Sequence, residues 1–445
     1  MQLAGKNIKI VGLGASGVAA AELCLRLGAR VVGVDRRPRE ELGEAVQRLS
    51  IDVLREAEVR SELGASDLIV VSPGVQDWPA LTEAEAAGIP VIGEIELGAR
   101  FCSAPICAVG GTNGKSTTTE LVAAMLTRAG RRVFCGGNLG TPLTRAVGED
   151  WDCLVVEVSS FQLERAPQFR PKVSLLLNIT DDHLDRHGTF AAYADAKGNA
   201  FVNQRADDVA VAPFGDREVE RQVRRGSGRV VYFGDDGDYA LEQGGVLERG
   251  PGTFYPLSET ALRHRHNQLN AAAAVAAARA FGVAPAAIQS ALDAYRSLPH
   301  RLAWVRSIAG VGFYDDSKAT NVGAAVAAIE SVTEPRVVLI AGGKDKQGSY
   351  EPLARTLRRR GRAAVLIGEA AAAMAGALSD SVVVERASTL AHAVERAFRL
   401  AQPGDAVLLA PACSSFDMFT SYADRGDRFV QEVERLAQVE GANVT

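Results

Sequence analysis

Short runs rich in valine and isoleucine recur along this chain, and each breaks through glycine turns into an alanine-rich stretch long enough for a helix. That order constrains the fold most, because strands that alternate with helices pair in parallel within a sheet. Three such blocks follow one another in 445 residues. The first opens with NIKIVGLGASGVAAAELCLRLGARVVGVD, continues through DLIVVSPGV and closes near PVIGEIELGARF. The second opens with PICAVGGTNGKSTTTELVAAML and carries CLVVEVSS, VSLLLNIT and DDVAVAPF. The third carries GFYDDS, RVVLIAGG, AAVLIG and AVLLAPA. The predicted class is α/β with mostly parallel sheets, in domains spanning 1–103, 104–298 and 299–445. Leu298-Pro299 reads as a hinge, and the glycine- and charge-rich stretch from Arg224 to Gly252 as exposed hairpins.

Composition narrows the function classes. With 47% hydrophobic and 23% charged residues the chain can bury real cores and is not a disordered polymer. A formal charge of −5 argues against a protein that coats nucleic acid. The six cysteines include no C-x-x-C pair, so no zinc knuckle or dithiol redox site is expected. The opening MQLAGKNIKIVGLG shows no signal-peptide core, and no apolar run approaches the ~20 residues that span a bilayer. A cytoplasmic protein without stable membrane insertion is expected.

Two glycine turns point to phosphate. Gly12-Leu13-Gly14-Ala15-Ser16-Gly17 follows a strand and opens a helix, as a dinucleotide fingerprint does, and Asp35 ends the next strand near the ribose-reading position. The pattern leaves open a nicotinamide cofactor, another nucleotide-containing ligand or a tight structural turn, since a helix N-terminus attracts any diphosphate. The second turn says more. Gly110-Gly111-Thr112-Asn113-Gly114-Lys115-Ser116 lacks the first glycine of a standard phosphate loop, which would fall at Val109, yet keeps the lysine and hydroxyl that serve phosphate and magnesium. ATP is the expected ligand. Glu157 closes CLVVEVSS, where a parallel strand would aim a carboxylate toward a cation beside Ser116.

Further polar clusters follow later strands. NITDDHLDRHG gathers Asp181, Asp182, His183, Asp185 and His187; a magnesium–nucleotide site, a solvated turn and zinc are all compatible, although H-E-x-x-H is absent. DDSKATN, GGKDKQG and PACSSFDMFTSYADRGDRF add lysines and hydroxyls suited to a carboxylate-bearing substrate. Cys413 reads as a small buried thiol rather than a nucleophile.

Taken together, GTNGKST, DDHLDRHG, HNQLN, LPHR and DDSKATN, in this order, resemble the Mur ligases over essentially the whole chain. The resemblance implies a Rossmann-like N-terminal domain, a central P-loop ATPase-like domain and a Rossmann-like C-terminal domain. GLGASG and the ending APACSSFDMFTSYADRGDRF are most similar to members that add D-glutamate to UDP-N-acetylmuramoyl-L-alanine, and no D-N-P-R segment is present. Within the resemblance, Gly111, Thr112, Asn113, Gly114, Lys115, Ser116, Thr117, Asn267, Asn270, Arg301, Asp316 and Asn321 would hold ATP. Gly14, Ala15, Ser16, Gly17, Asp35, Arg36, Gly74, Asn138, Phe161 and His183 would meet the uridine-diphosphate substrate. Lys318, Thr320, Lys346, Ser415, Phe416 and Tyr422 would receive glutamate, Tyr422 standing where some relatives have phenylalanine.

The same likeness makes Lys115, Glu157, His183 and Lys197 catalytic. It implies two magnesium sites, open also to manganese, on Ser116, Glu157, His183 and a Lys197 carbamoylated by carbon dioxide, because an unmodified ammonium offers no lone pair. A monomer acting on small molecules is implied, and the C-terminal block is expected to close onto the centre. L-glutamate or another amino acid, a folylpolyglutamate-type reaction, a nicotinamide dehydrogenase and a nonenzymatic ATP switch are the alternatives. The first block argues against the folate reaction, and GTNGKST and DDSKATN against the dehydrogenase.

Overall fold

The computed structural model describes residues 1–59, 63–76, 78–138, 140–296, 299–346 and 348–442; Leu298 of the expected hinge lies outside the described residues. The chain divides into two compact units. One comprises Met1–Ile179, Ala191–Arg263 and Asn267–Tyr295; the other comprises Thr180–Phe190, His264–His266 and Arg296–Thr445.

The first unit contains two sheets. Strands β1 (Asn7–Val11), β2 (Arg30–Asp35), β3 (Asp52–Arg55), β4 (Leu68–Val71) and β5 (Val91–Gly93) form a parallel sheet of order β3-β2-β1-β4-β5. The chain leaves β1 toward β2 on one side and returns to β4 on the other. The carboxyl ends of β1 and β4 therefore flank a topological switch point, where open sheets of this kind take ligands.

The second sheet has nine strands. They are β6 (Ile106–Gly110), β7 (Val133–Gly137), β8 (Cys153–Glu157), β9 (Val173–Leu176), β10 (Val209–Pro213), β11 (Arg229–Phe233), β12 (Tyr239–Glu242), β13 (Gly245–Glu248) and β14 (Thr253–Pro256). Their order is β14-β13-β12-β11-β10-β9-β6-β8-β7. Every residue of β6 and β8 is buried, which explains why these strands read as unbroken apolar runs rather than alternating ones. Helix Arg265–Ala280 buries each residue from Ala271 to Ala278. Alanine there gives up contact area but lets the helix backbone lie close to its neighbours.

The stretch from Arg224 to Gly252 corrects the expectation of exposed hairpins. Arg229–Phe233 is a parallel strand on β10, and the β12–β13 hairpin extends the sheet with Tyr239, Ala240 and Val246 buried. Glycines at the turns masked a short alternating apolar pattern. Glu248, buried in that hairpin, accepts hydrogen bonds from Arg279 and the Tyr255 hydroxyl, so the charge that suggested exposure is satisfied inside.

The second unit is built on β15 (Ala303–Ile308), β16 (Val311–Asp315), β17 (Val337–Gly342), β18 (Gly361–Ile367), β19 (Val383–Arg386) and β20 (Ala406–Leu409), ordered β15-β16-β20-β17-β18-β19. Only β15 runs antiparallel to its neighbour. No helix among the described residues is long and apolar enough to cross a membrane.

Candidate functional site

At the switch point of the first sheet, tight backbone packing explains the glycines. Gly12 has φ +84°, and a Cβ on Gly17 would stand 1.9 Å from the Gly12 carbonyl oxygen. Helix Ala15–Arg26 therefore starts directly above the strand, with Gly14 and Ala15 exposed at its N-terminus and Ser16 half-buried. The Ser72 hydroxyl donates to the Gly12 carbonyl at 2.6 Å, fastening the Ser72–Gly74 turn to the first loop. A Cβ on Gly74 would meet nothing within 4 Å, so that turn borders open space.

Asp35 is turned inward. Its carboxylate accepts the Leu13 N–H at 2.9 Å and the Arg37 N–H at 3.1 Å. Burial works against its charge, but these backbone bonds and the Arg37 side chain hold the carboxyl below its usual range. Its structural task is to brace the glycine turn. Arg36 is largely exposed and pairs with Glu56 at 2.9 Å.

The phosphate loop follows β6 between β8 and β9. Gly114 has φ +84°, and a Cβ there would lie 2.2 Å from Asn270 Oδ1, so Asn270 packs on the loop itself. Asn178, just after β9, clamps the opposite side: its Oδ1 accepts the Asn113 N–H at 2.8 Å and its Nδ2 donates to the Asn113 carbonyl at 3.1 Å. The Lys115 ammonium folds over the loop onto the carbonyls of Gly111 (3.1 Å) and Thr112 (2.8 Å). Ser116 and Thr117 are buried in the first turn of helix Lys115–Arg128.

Strand register brings Glu157 level with the loop. It pairs with Val109 of β6 and Gly137 of β7, and the Asn138 Nδ2 donates to its Oε1 at 2.7 Å. The other oxygen, Oε2, is buried and has no hydrogen-bond partner among the described residues. A buried, half-satisfied carboxylate beside a phosphate loop is a fitting ligand for a hard cation. Phe161 is half-buried in the short helix Ser160–Leu163, which Ser159 and Gln162 cap.

Lys197 is buried in the same unit. Its Nζ lies 2.7 Å from the Gly111 carbonyl oxygen and 4.5 Å from the centre of the Tyr193 ring, whose hydroxyl is 3.1 Å from Thr112 Oγ1. Asn178 and Tyr193 were not singled out by sequence reasoning. The only available signal was their position after strands flanking the loop.

In the second unit, Asp182 joins residues from three segments. It accepts the Lys346 ammonium at 3.0 Å, the Asn321 Nδ2 at 3.2 Å and the His183 N–H at 3.0 Å. His183 itself has φ 53°, a left-handed conformation that is uncommon for a residue with a side chain. Asn321 also caps helix Val322–Ser331 through the Ala324 N–H at 2.8 Å. Burial pushes the neighbouring Asp316 carboxyl up to about 7, with Arg301 pulling the other way.

Arg425 organises the remaining loops. Fully buried, it donates to the Ser317 hydroxyl (3.0 Å), the Ser317 carbonyl (2.9 Å) and the Cys413 carbonyl (3.3 Å). It thereby ties the strand ends of β16 and β20 to helix Tyr422–Ala442. The Lys318 ammonium sits 3.8 Å from the Tyr422 ring centre, and the Thr320 N–H donates to the Lys318 carbonyl. Ser415 is buried, whereas Phe416 is 72% exposed. Sequence reading quoted Arg425 within its motif but gave it no role. Burial raises the Cys413 thiol to about 11, as expected of an inert buried thiol.

Among the described residues no group of three or more His, Cys, Asp or Glu is placed to hold a metal by itself, so a zinc centre at His183 and His187 receives no support. A cleft of about 440 Å³ in the first unit, lined by Glu96, Arg100, Arg170, Lys172 and Asp208, lies at the starts of β6, β9 and β10. That is the sheet edge opposite the phosphate loop, and its cations are already tied to its own carboxylates.

Three family models match the chain: Mur ligase MurD-like, N-terminal domain, over residues 6–93; Mur ligase middle domain over 109–278; and Mur ligase, glutamate ligase domain, over 300–413. A UDP-N-acetylmuramoylalanine--D-glutamate ligase of Desulfosudis oleivorans is 44% identical over 454 residues, covering 97% of each chain. A protein of the same name from Myxococcus xanthus is 41% identical, covering 98% of this chain and all of its own. Among solved structures, a pseudomurein peptide ligase type C from Methanothermus fervidus aligns with a TM-score of 0.62 at 17% identity over 97% of this chain and 100% of its own, a likeness of fold.

Proposed function

The chain belongs to the Mur ligase family, and on that premise we propose that it joins D-glutamate to UDP-N-acetylmuramoyl-L-alanine with cleavage of ATP to ADP and phosphate. The observation that carries the chemistry is the phosphate loop with Lys115 folded over it and the orphan carboxylate oxygen of Glu157 at its side. Domains spanning 1–103, 104–298 and 299–445 would serve the uridine nucleotide, ATP and the amino acid in turn.

A carboxylate is a poor acyl donor until one of its oxygens becomes a leaving group. In the proposed reaction an oxygen of the alanyl carboxylate attacks the γ-phosphorus as the bond to ADP breaks. The glutamate nitrogen then attacks the acyl carbon, phosphate leaves with its oxygen, and the nitrogen gives up a proton. Loop N–H groups held in place by Asn178 and the ammonium of Lys115 suit the charge that grows on phosphate oxygens. Asn138 fixes one oxygen of Glu157, leaving the other for a cation that Ser116 would share. That cation, magnesium or manganese, would supply charge neutralisation at the phosphates.

A second cation would need Lys197 as its carbamate, together with His183. As an ammonium, Lys197 presents donors only, bound toward Gly111; a carbamate would present oxygens from the same buried position. Labelled bicarbonate should then give a carbamate signal in the wild type that is missing from Lys197→Ala.

On the amino-acid side, Lys318, Thr320, Lys346 and Ser415 offer cationic and hydroxyl partners for two carboxylates. D-glutamate is preferred over its enantiomer because relatives of 41–44% identity spanning nearly the whole chain carry that name. The decisive assay is amide product and ADP release with UDP-N-acetylmuramoyl-L-alanine, ATP and either glutamate enantiomer. Product with D-glutamate alone is expected; product with L-glutamate alone, or with neither, would refute the assignment.

A further inference from the structure

The glycines of the phosphate loop do two different jobs. Val109 stands where a standard loop has its first glycine, and here it stays in β6, paired with Leu175 of β9 as Gly110 pairs with Leu176. The pairing does not stop at the strand ends. The Leu177 N–H donates to the Gly110 carbonyl at 3.1 Å, and the Thr112 N–H donates to the Asn178 carbonyl at 2.9 Å. The chain beyond β9 lies so close that a Cβ on Gly111 would stand 3.1 Å from Leu177 Cβ. Gly110 and Gly111 therefore serve a ladder.

Asn178 carries that ladder one residue further with its side chain. Its Oδ1 accepts the Asn113 N–H at 2.8 Å and its Nδ2 donates to the Asn113 carbonyl at 3.1 Å, the two-bond exchange of a hydrogen-bonded strand pair. The N–H groups of Thr112 and Asn113 are thus committed to Asn178 and do not point at a phosphate. The Asn113 carbonyl faces Asn178 as well. In a planar trans peptide the N–H of the next residue points the opposite way, so Gly114 aims its donor away from Asn178. No hydrogen bond from the Gly114 N–H exists among the described residues, and no side chain caps the helix that starts there.

We propose that Asn178 is a positioning residue for phosphoryl transfer: by fastening Asn113 it withdraws two loop N–H groups from the nucleotide and turns the Gly114 N–H onto the phosphates, so that the cradle begins at Gly114. The inference rests on the nucleotide half of the proposed function and adds which donors of the loop do the holding. It also accounts for Val109, since a loop whose first half is strand needs no glycine where a wrapping loop would leave the sheet. Asn178 acts through the Asn113–Gly114 peptide rather than by contact with phosphate.

Asn113–Gly114 is the sole Asn-Gly pair in the chain, so the full-length protein with carbon-13 at asparagine carbonyls and nitrogen-15 at glycine gives one NMR signal for that peptide. Thr112–Asn113 and Thr320–Asn321 are the two Thr-Asn pairs, and Thr320→Ser identifies which amide belongs to Asn113. On titration with ADP the Gly114 signal should move downfield, as an amide gaining an anionic acceptor does, while the Asn113 signal stays in place. An Asn113 shift equal to that of Gly114, or an unmoved Gly114 in protein that calorimetry shows to be ADP-bound, would overturn the proposal alone. Absence of ADP binding would refute the nucleotide reading and the proposal with it. In turnover, Asn178→Ala and Asn178→Asp should each lower kcat at saturating ATP about 10- to 100-fold, with the KM for glutamate unchanged. Aspartate keeps the shape and the acceptor but sets a carboxylate oxygen against the Asn113 carbonyl. Full activity in Asn178→Asp would reduce the residue to packing and overturn the proposal.

Discussion

Replacing Asp316 by asparagine should make the C-terminal unit more stable at alkaline pH while reducing turnover. Burial raises this carboxyl from 3.8 to about 7; Arg301 and the Leu302 N–H pull against the shift, and Asp315 reinforces it. A carboxyl whose folded pKa exceeds its unfolded value favours the fold fully below the unfolded pKa. That preference is lost as pH rises from about 4 to about 7, because the unfolded chain ionises first. Above about 7 the folded protein carries the whole cost of a desolvated charge. A gap of about three pH units at about 1.36 kcal/mol each sets the cost at about 4 kcal/mol, an upper bound. Asparagine keeps the shape and the acceptor oxygen without the charge. Urea unfolding followed by fluorescence in a Trp78→Phe, Trp151→Phe background, which leaves only Trp304, packed edge-on to Tyr314 in this unit, reads the effect locally. Asp316→Asn should exceed wild type by about 2–4 kcal/mol near pH 8 and match it near pH 4. An equal difference at both pH values, or a less stable variant near pH 8, would refute the reasoning. Lost turnover in the more stable protein would mark Asp316 as a charge kept for the nucleotide.

Two further substitutions probe the loops. Gly114→Ala forces a side chain into φ +84° with its Cβ 2.2 Å from Asn270 Oδ1; nucleotide affinity measured by calorimetry should fall at least tenfold, with the unfolding midpoint lowered by the equivalent of about 1–3 kcal/mol. Asp182→Asn removes the charge that holds Lys346 at 3.0 Å; the KM for glutamate should rise about three- to thirtyfold with a smaller change in kcat, and an unchanged KM would show that the ion pair has no part in substrate binding.

The alternation of apolar runs and glycine turns was enough to place the α/β class and the parallel strands, because both rest on local chemistry: periodicity, φ freedom and helix starts. The placement of Lys115, Ser116 and Glu157 beside the glycine loop was legible for the same reason, each being tied to a strand end or a helix N-terminus by a fixed number of residues. Asn178, Tyr193 and Arg425 were not. Each acts on a partner at least 65 residues away in the chain, as Asn178 does on Asn113, Tyr193 on Thr112 and Arg425 on Ser317. The hairpin at Glu248 was misread because its charge looks solvated until Arg279 and Tyr255 are brought to it. The sequence by itself determined the menu of strands and glycine turns. Tertiary structure alone decided which carboxylate oxygen stays unpaired, which loop is clamped and which arginine is buried, because these follow from strand order and burial rather than from spacing along the chain.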